Sequence, residues 1–208
     1  MTRSGHGARP GPAGTLSCME QSAQAPAWLP HGALLPDADW RWRHTAVCLV
    51  LAAHLPVLLL WAALTAPGEV WHVLLPLAAL TVAARLPGGS RALRSLAGTL
   101  GLLTCSALVV HLGHGATEAH FHFFVVVAVI ALYQDWALYA LTLVFVLVHH
   151  AFVVSPESGG NSLTWLVVHG GFVLAESAVL VLFWRANELS RAAEQRARLS
   201  EQQSRGAA

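Results

Sequence analysis

The chain has 208 residues, 55% of them hydrophobic and only 11% charged, with a formal net charge of +1. A soluble domain carries about 25% charged residues, so this composition argues against a water-facing globule. All twelve basic residues are arginines, and membrane topology accounts for their placement, which leaves nucleic acid without support as a partner.

Residues 1–40 are rich in Gly, Pro and Ala without an apolar period; they read as a disordered N-terminal tail that lacks the apolar run of a signal peptide. Apolar runs of eighteen or more residues mark bilayer-spanning helices, since about 20 residues at 1.5 Å rise cover the hydrocarbon. Six runs follow, at 44–65, 69–86, 92–112, 118–133, 136–154 and 163–185, the fourth of them short. Backbone polar groups in lipid must pair within their own segment, which makes each run a helix. The expected fold is all-α: a polytopic membrane helical bundle of six transmembrane helices over residues 41–186.

Arg3, Arg9, Arg41 and Arg43 precede the first span, Arg85, Arg91 and Arg94 join the second to the third, and Arg185, Arg191, Arg196, Arg198 and Arg205 follow the sixth. The alternate loops "TAPGEV", "GHGATE" and "SPESGGNS" contain none. That split predicts both termini in the cytoplasm of a multi-pass inner (cytoplasmic) membrane protein.

Taken span by span, His54 lies near the midplane of the first, and His72 opens the second from outside. His111 and His114 close the third, and Glu118, His120 and His122 open the fourth. Asp135 in "LYQDW" is placed to N-cap the fifth, and His149 and His150 lie about one turn from its outer end. His169 stands just inside the sixth, with Glu176 on the same face about 10 Å deeper. The other three of the twelve histidines are His6 and His31 in the tail and His44 at the inner end of the first span. Residues 187–208 read as a cytoplasmic helical stalk, with Leu189, Ala192, Arg196 and Leu199 at 3-4-3 spacing and no output domain following.

A single intramembrane histidine is commonly satisfied by a hydrogen bond to a neighbouring helix, and that plain reading suits His72, His111 and His114 near the interface. His54, His120, His122, His149, His150 and His169 converge on one leaflet from four spans, and ionisable groups at such depth are functional by default. Neutral imidazoles suit a metal ion (copper, iron or zinc) or haem iron. Glu118, Glu176, His111, His114 and His72 are the groups expected to orient these ligands or exchange protons with them, although Glu118 equally suits the helix N-terminus of the fourth span. On one helix His120 and His122 point about 200° apart, so one is expected to coordinate while the other packs or hydrogen-bonds; His149 and His150, about 100° apart, carry the same consequence. Haem needs facing histidines with a slot between them, which Gly113, Gly115, Gly170 and Gly171 leave room for. Met1 and Met19 both lie in the tail, so a thioether copper site is not expected. Cys18, Cys48 and Cys105 show no paired spacing, and Cys48 and Cys105 read as small core residues.

The runs "EAHFHFFVVVAVIALYQDW" (118–136), "VHHAF" (148–152) and "HGGFVLAES" (169–177), with the His54–Pro56 step in the first span, resemble a bacterial multi-helix membrane sensory module over residues 42–190. That module usually stands N-terminal to diguanylate cyclase, histidine kinase or chemotaxis-receptor output domains. The resemblance implies a sensor role, with His54, Glu118, His120, His122, His149, His150 and His169 at the matching positions.

The expected function is therefore an integral membrane signal-transduction sensor, not an enzyme, with a histidine-rich metal- or haem-binding site near the outer leaflet. Its partners are the lipid bilayer and either a second copy or a separate cytoplasmic signalling protein. The alternative is a metal-ion or proton transporter using the histidine cluster and Glu176. A membrane di-iron oxygenase ranks below both, because such sites use HxxxH and HxxHH spacings at the cytoplasmic face, whereas this chain has HxxH, HxH and HH.

Overall fold

The computed structural model describes residues 28–32, 35–153 and 162–206. Seven α-helices are present among them: α1 (Asp37–Thr65), α2 (Val70–Ala84), α3 (Arg91–Leu112), α4 (Thr117–His120), α5 (His122–Ala131), α6 (Trp136–Val153) and α7 (Ser162–Gly206). A 3-10 turn, Pro67–Glu69, leads into α2. There is no strand among the described residues. Four helical segments are long and apolar enough to cross a membrane: Asp37–Thr65, Pro67–Ala84, Arg91–Leu112 and Val167–Gly206. Thr117–Ala131 and Trp136–Ala151 are shorter apolar helices. Six apolar segments thus occupy the six predicted places, four of them at full spanning length.

The helix ends follow local chemistry. Ser90 caps α3 by accepting from the Leu93 N–H at 3.2 Å. Asp135 Oδ1 accepts from the N–H groups of Ala137 and Leu138 at 2.9 and 3.2 Å, the N-cap expected for the fifth span. Pro56 and Pro76 sit inside α1 and α2, as membrane helices tolerate when neighbours re-satisfy the freed carbonyls.

The α1–α2–α3 unit is the tightest part of the bundle. Val47, Leu51, Leu58, Val73, Leu77, Leu102 and Leu103 are fully enclosed there, with Val126 and Ile130 of α5 laid against them. Close approach depends on two glycines of α3. A Cβ on Gly101 would stand 2.7 Å from Leu51 Cδ2, and one on Gly98 would stand 2.9 Å from the Tyr133 hydroxyl. By contrast α7 is loosely held: Phe172, Leu174, Leu182 and Phe183 are all exposed, the surface expected of a lipid-facing helix.

Four of the arginines gather at one end of the bundle and bind backbone carbonyls of neighbouring segments. Arg43 donates to Leu132 O at 2.8 Å, Arg85 to Cys48 O at 3.0 Å, Arg91 to Leu35 O at 2.6 Å and Arg94 to Ala84 O at 3.2 Å. His44 shares that end, with Nδ1 2.8 Å from the Tyr133 hydroxyl and Nε2 2.9 Å from Ala84 O, its ring stacked on Trp40.

The structure departs from the sequence reading at three boundaries. The tail is not featureless up to residue 40: α1 starts at Asp37, Leu35 is buried in the core, and residues 30–32 are tied to α6 and α7. Trp136 donates to Pro30 O at 3.2 Å, and Glu188 accepts from the N–H groups of His31 and Gly32 at 2.9 and 3.0 Å. The fourth span divides at Phe121, where three-residue bonds (Phe121 N–H to Glu118 O and Phe124 N–H to Phe121 O, both 3.2 Å) interrupt the α pattern. Sixth span and stalk form one unbroken helix of 45 residues. Residues 1–27, and the "SPESGG" and Asn161 stretch read as an outer loop, lie outside the described residues.

Candidate functional site

Four histidines meet at the end of the bundle opposite the arginines. His120 comes from the last residue of α4, His149 and His150 from the last turns of α6, and His169 from the early part of α7. Ring centroids are 5.2 Å apart for His120–His150, 6.0 Å for His120–His149, 6.4 Å for His120–His169, 5.8 Å for His149–His150 and 5.9 Å for His150–His169. His120, His150 and His169 are buried. Aromatic rings wall the group: Phe123 lies 4.9 and 5.3 Å from His149 and His150, Phe145 is stacked on His149, and Phe121 is stacked on His169.

Backbone carbonyls choose the tautomers. His120 Nδ1 lies 3.0 Å from Ala116 O, and His150 Nδ1 lies 2.7 Å from Val146 O, each one turn back on its own helix. A carbonyl oxygen only accepts, so both Nδ1 atoms carry the proton and both Nε2 atoms present a lone pair. His149 Nδ1 is buried with no hydrogen-bond partner among the described residues. Among the described residues no three His, Cys, Asp or Glu side chains stand close enough together to hold one ion.

His54 and His122 form a second, different arrangement. Their Nε2 atoms are 2.9 Å apart, and Ser106 Oγ is 2.9 Å from His122 Nδ1. His54 Nδ1 donates to Val50 O at 2.7 Å, so its Nε2 must accept. His122 therefore donates through Nε2 and accepts the Ser106 hydroxyl proton at Nδ1, which makes a closed neutral chain of three side chains. His120 and His122 go to separate sites, one to the histidine group and the other to the hydrogen-bonded pair with His54, as their separation of about 200° on one helix implies.

The remaining sequence candidates fall elsewhere. His72 Nδ1 is 2.8 Å from Glu69 Oε2, and His111 lies 3.8 Å from the same oxygen, all at the surface. His114 is exposed in the α3–α4 loop with φ of 52°. Glu118 is exposed in the first turn of α4. Glu176 lines an open groove of ≈ 740 Å³ with His169, Phe121, Phe124 and Phe172, and its buried Oε2 has no hydrogen-bond partner among the described residues. Gly170 and Gly171 face open space, whereas Gly113 packs beside Ala119 and Trp61. An apolar cleft of ≈ 370 Å³ between α6 and α7 reaches His150 and His169.

Sequence reasoning did not find Ser106, the phenylalanine walls or the Glu188 clasp on residues 31–32. Ser106 carried a usable signal, a hydroxyl in an apolar run. The clasp carried none, because its partners lie more than 150 positions apart.

No family model and no solved structure matches the chain. Among curated proteins it is similar to the transducer protein Htr8 of Halobacterium salinarum, at 34% identity over 192 aligned residues covering 81% of this chain and 30% of that relative. The chain thus spans under a third of that relative's length.

Proposed function

We propose that the chain is a non-enzymatic, multi-pass sensor of the inner membrane, whose four-histidine cluster is the input and whose α7 is the output. One observation carries this: His169, a member of the cluster, stands on the helix that continues without a break to Gly206. From His169 to Gly206 is about 55 Å at 1.5 Å per residue. Any change that pulls or releases His169 is transmitted along that rod, because α7 is lightly held by its neighbours and exposes most of its apolar side chains.

In this reading all six apolar segments cross the bilayer and both termini are cytoplasmic. The arginine end is the inner face, as the positive-inside rule requires, and the histidine cluster lies toward the outer leaflet. The input ligand is a metal ion or haem held by imidazoles. The stalk acts on a second copy of the chain or on a separate signalling protein, as the kinship with a transducer suggests.

The test needs no ligand. Nitroxides at Arg41→Cys and Ser200→Cys, with Cys18→Ser in the background, report the distance between the bundle and the stalk in lipid nanodiscs; Cys48 and Cys105 are buried. His120→Ala and His169→Ala are expected to shift that distance distribution, and His72→Ala to leave it in place. Identical distributions in all three variants would end the sensor reading.

A further inference from the structure

We infer that the groove between α5 and α7 is a binding site for a lipophilic organic cation, held by the Glu176 carboxylate and the rings of Phe121, Phe124 and Phe172. The site is separate from the histidine input and does not depend on it. Its volume of ≈ 740 Å³ falls within the range of about 300–1,000 Å³ usual for small-molecule sites. Glu176 Oε2 is buried there and has no hydrogen-bond partner among the described residues. Glu176 stands about 14 Å along the helix from Val167, where the apolar stretch of α7 begins. That is close to half of a hydrocarbon layer of about 30 Å. An ionisable group at such depth is kept where it meets a partner or a cavity, and a carboxylate left without a counter-charge is costly. The nearest arginine on α7 is Arg185, about 14 Å further along the axis. A counter-charge for Glu176 therefore has to come from outside the helix.

The walls of the groove have the same polarity as its acid. Phe172 lies one turn from Glu176 on α7, and Val168, Ala175 and Val179 continue the same stripe. Across the groove the Phe121 and Phe124 rings stand with centroids 6.2 Å apart. An aromatic face carries partial negative charge and attracts a cation within about 6 Å of its centroid. Three such rings around one carboxylate are complementary to positive charge and repel an anion.

The same walls narrow the kind of cation. A metal ion needs several donors, and among the described residues no three His, Cys, Asp or Glu side chains are placed to share one. A primary ammonium brings three N–H donors, whereas Glu176 is the one carboxylate among the described residues that line the groove, and apart from His169 the other walls are hydrocarbon. A quaternary or charge-delocalised onium ion has no N–H to satisfy and is the class that aromatic cages take up. Phe121 and Phe172 are exposed, on the flank of α7 with the surface of a lipid-facing helix. The ligand accordingly arrives through the bilayer, which selects for large apolar substituents around the charge.

The probe is radiolabelled tetraphenylphosphonium, measured by equilibrium dialysis against the full-length protein in nanodiscs, with uptake by empty nanodiscs subtracted. One saturable site per chain is expected. Unlabelled tetraphenylphosphonium should displace the label and tetraphenylsilane, its neutral isostere, should not, a comparison that involves no variant and so no question of folding. Glu176→Gln should weaken binding by about tenfold or more, and Phe124→Leu by about twofold to fivefold. Glu118→Gln, which alters an exposed carboxylate at the start of α4, should leave it unchanged. Uptake no greater than that of empty nanodiscs, equal displacement by the silane, or undiminished binding in Glu176→Gln would overturn the inference. Pairing of two chains that Phe172→Arg breaks, with no saturable uptake of the cation, would assign the groove to a second copy and overturn it equally.

Discussion

At the scale of single residues, what separates the histidines is the partner that each ring nitrogen meets. Three of them, His54, His120 and His150, use the same device, an Nδ1 proton given to the carbonyl one turn back. In the His54–His122–Ser106 chain every proton position then follows, and removing one member strands its neighbour. Ser106→Ala is expected to cost about 1 kcal/mol and His122→Ala about 1–3 kcal/mol, the usual penalty for an unsatisfied buried group. Thermal unfolding in detergent checks both, and equal, negligible shifts would mean that water replaces the lost partner. Glu188 belongs to the same scale. Burial raises its carboxyl, but the N–H groups of His31 and Gly32, the His31 ring and Arg185 outweigh that and hold it below its ordinary value. A depressed folded value means that the clasp's stability is fully present above the unfolded carboxylate value, about 4.3, and is lost as pH falls through the folded value. Hydrogen exchange at His31 and Gly32, corrected for intrinsic rates, should therefore accelerate on acidification below that point. Glu188→Gln should exchange fast already at neutral pH and show no such step.

Between elements, packing is uneven. The α1–α3 contact is tight because Gly101 leaves no Cβ where Leu51 sits. Gly101→Val should destabilise the bundle by about 1–3 kcal/mol through overpacking, read as a lower unfolding temperature. On the other flank α7 touches α5 and α6 through Val173, Leu180 and Val181, against a small cluster around Phe123 and Tyr139. Such a helix moves against a fixed three-helix body more easily than it deforms. Continuity of the helix matters for the same reason. Ala193→Pro removes a hydrogen bond and clashes with the preceding turn, at about 3 kcal/mol locally. It should abolish the response of the residue-200 nitroxide to His169→Ala. A response that survives the proline would show that the stalk is not driven through α7.

For the molecule as a whole, the two ends of the bundle hold opposite chemistries, arginines on carbonyls at one and neutral imidazoles at the other. Much of that was legible in the sequence. Run length and apolarity located six helical segments among the described residues, the fourth of which the structure divides at Phe121, since a chain in lipid has no other way to pair its backbone, and the alternation of arginine-bearing and arginine-free connections predicted which helix ends would meet. Asp135 announced a helix start by its side-chain chemistry alone. The gathering of His120, His149, His150 and His169 was also half visible, because their depths could be ranked along each span. That His120 and His122 would part was legible from their separation of about 200°; the sequence could not show which of them would pair with His54 and Ser106. That choice depends on which neighbouring helices, α1 and α3 on one side and α6 and α7 on the other, each face meets. It could not show either that residues 30–32 fold back onto α6 and α7. Apolar run length and arginine placement along the chain determined the helical segments, their order and their polarity. Only the tertiary structure decided which imidazoles share a centre, because that depends on where rings from separate helices come to rest, and angular position on a single helix does not contain it.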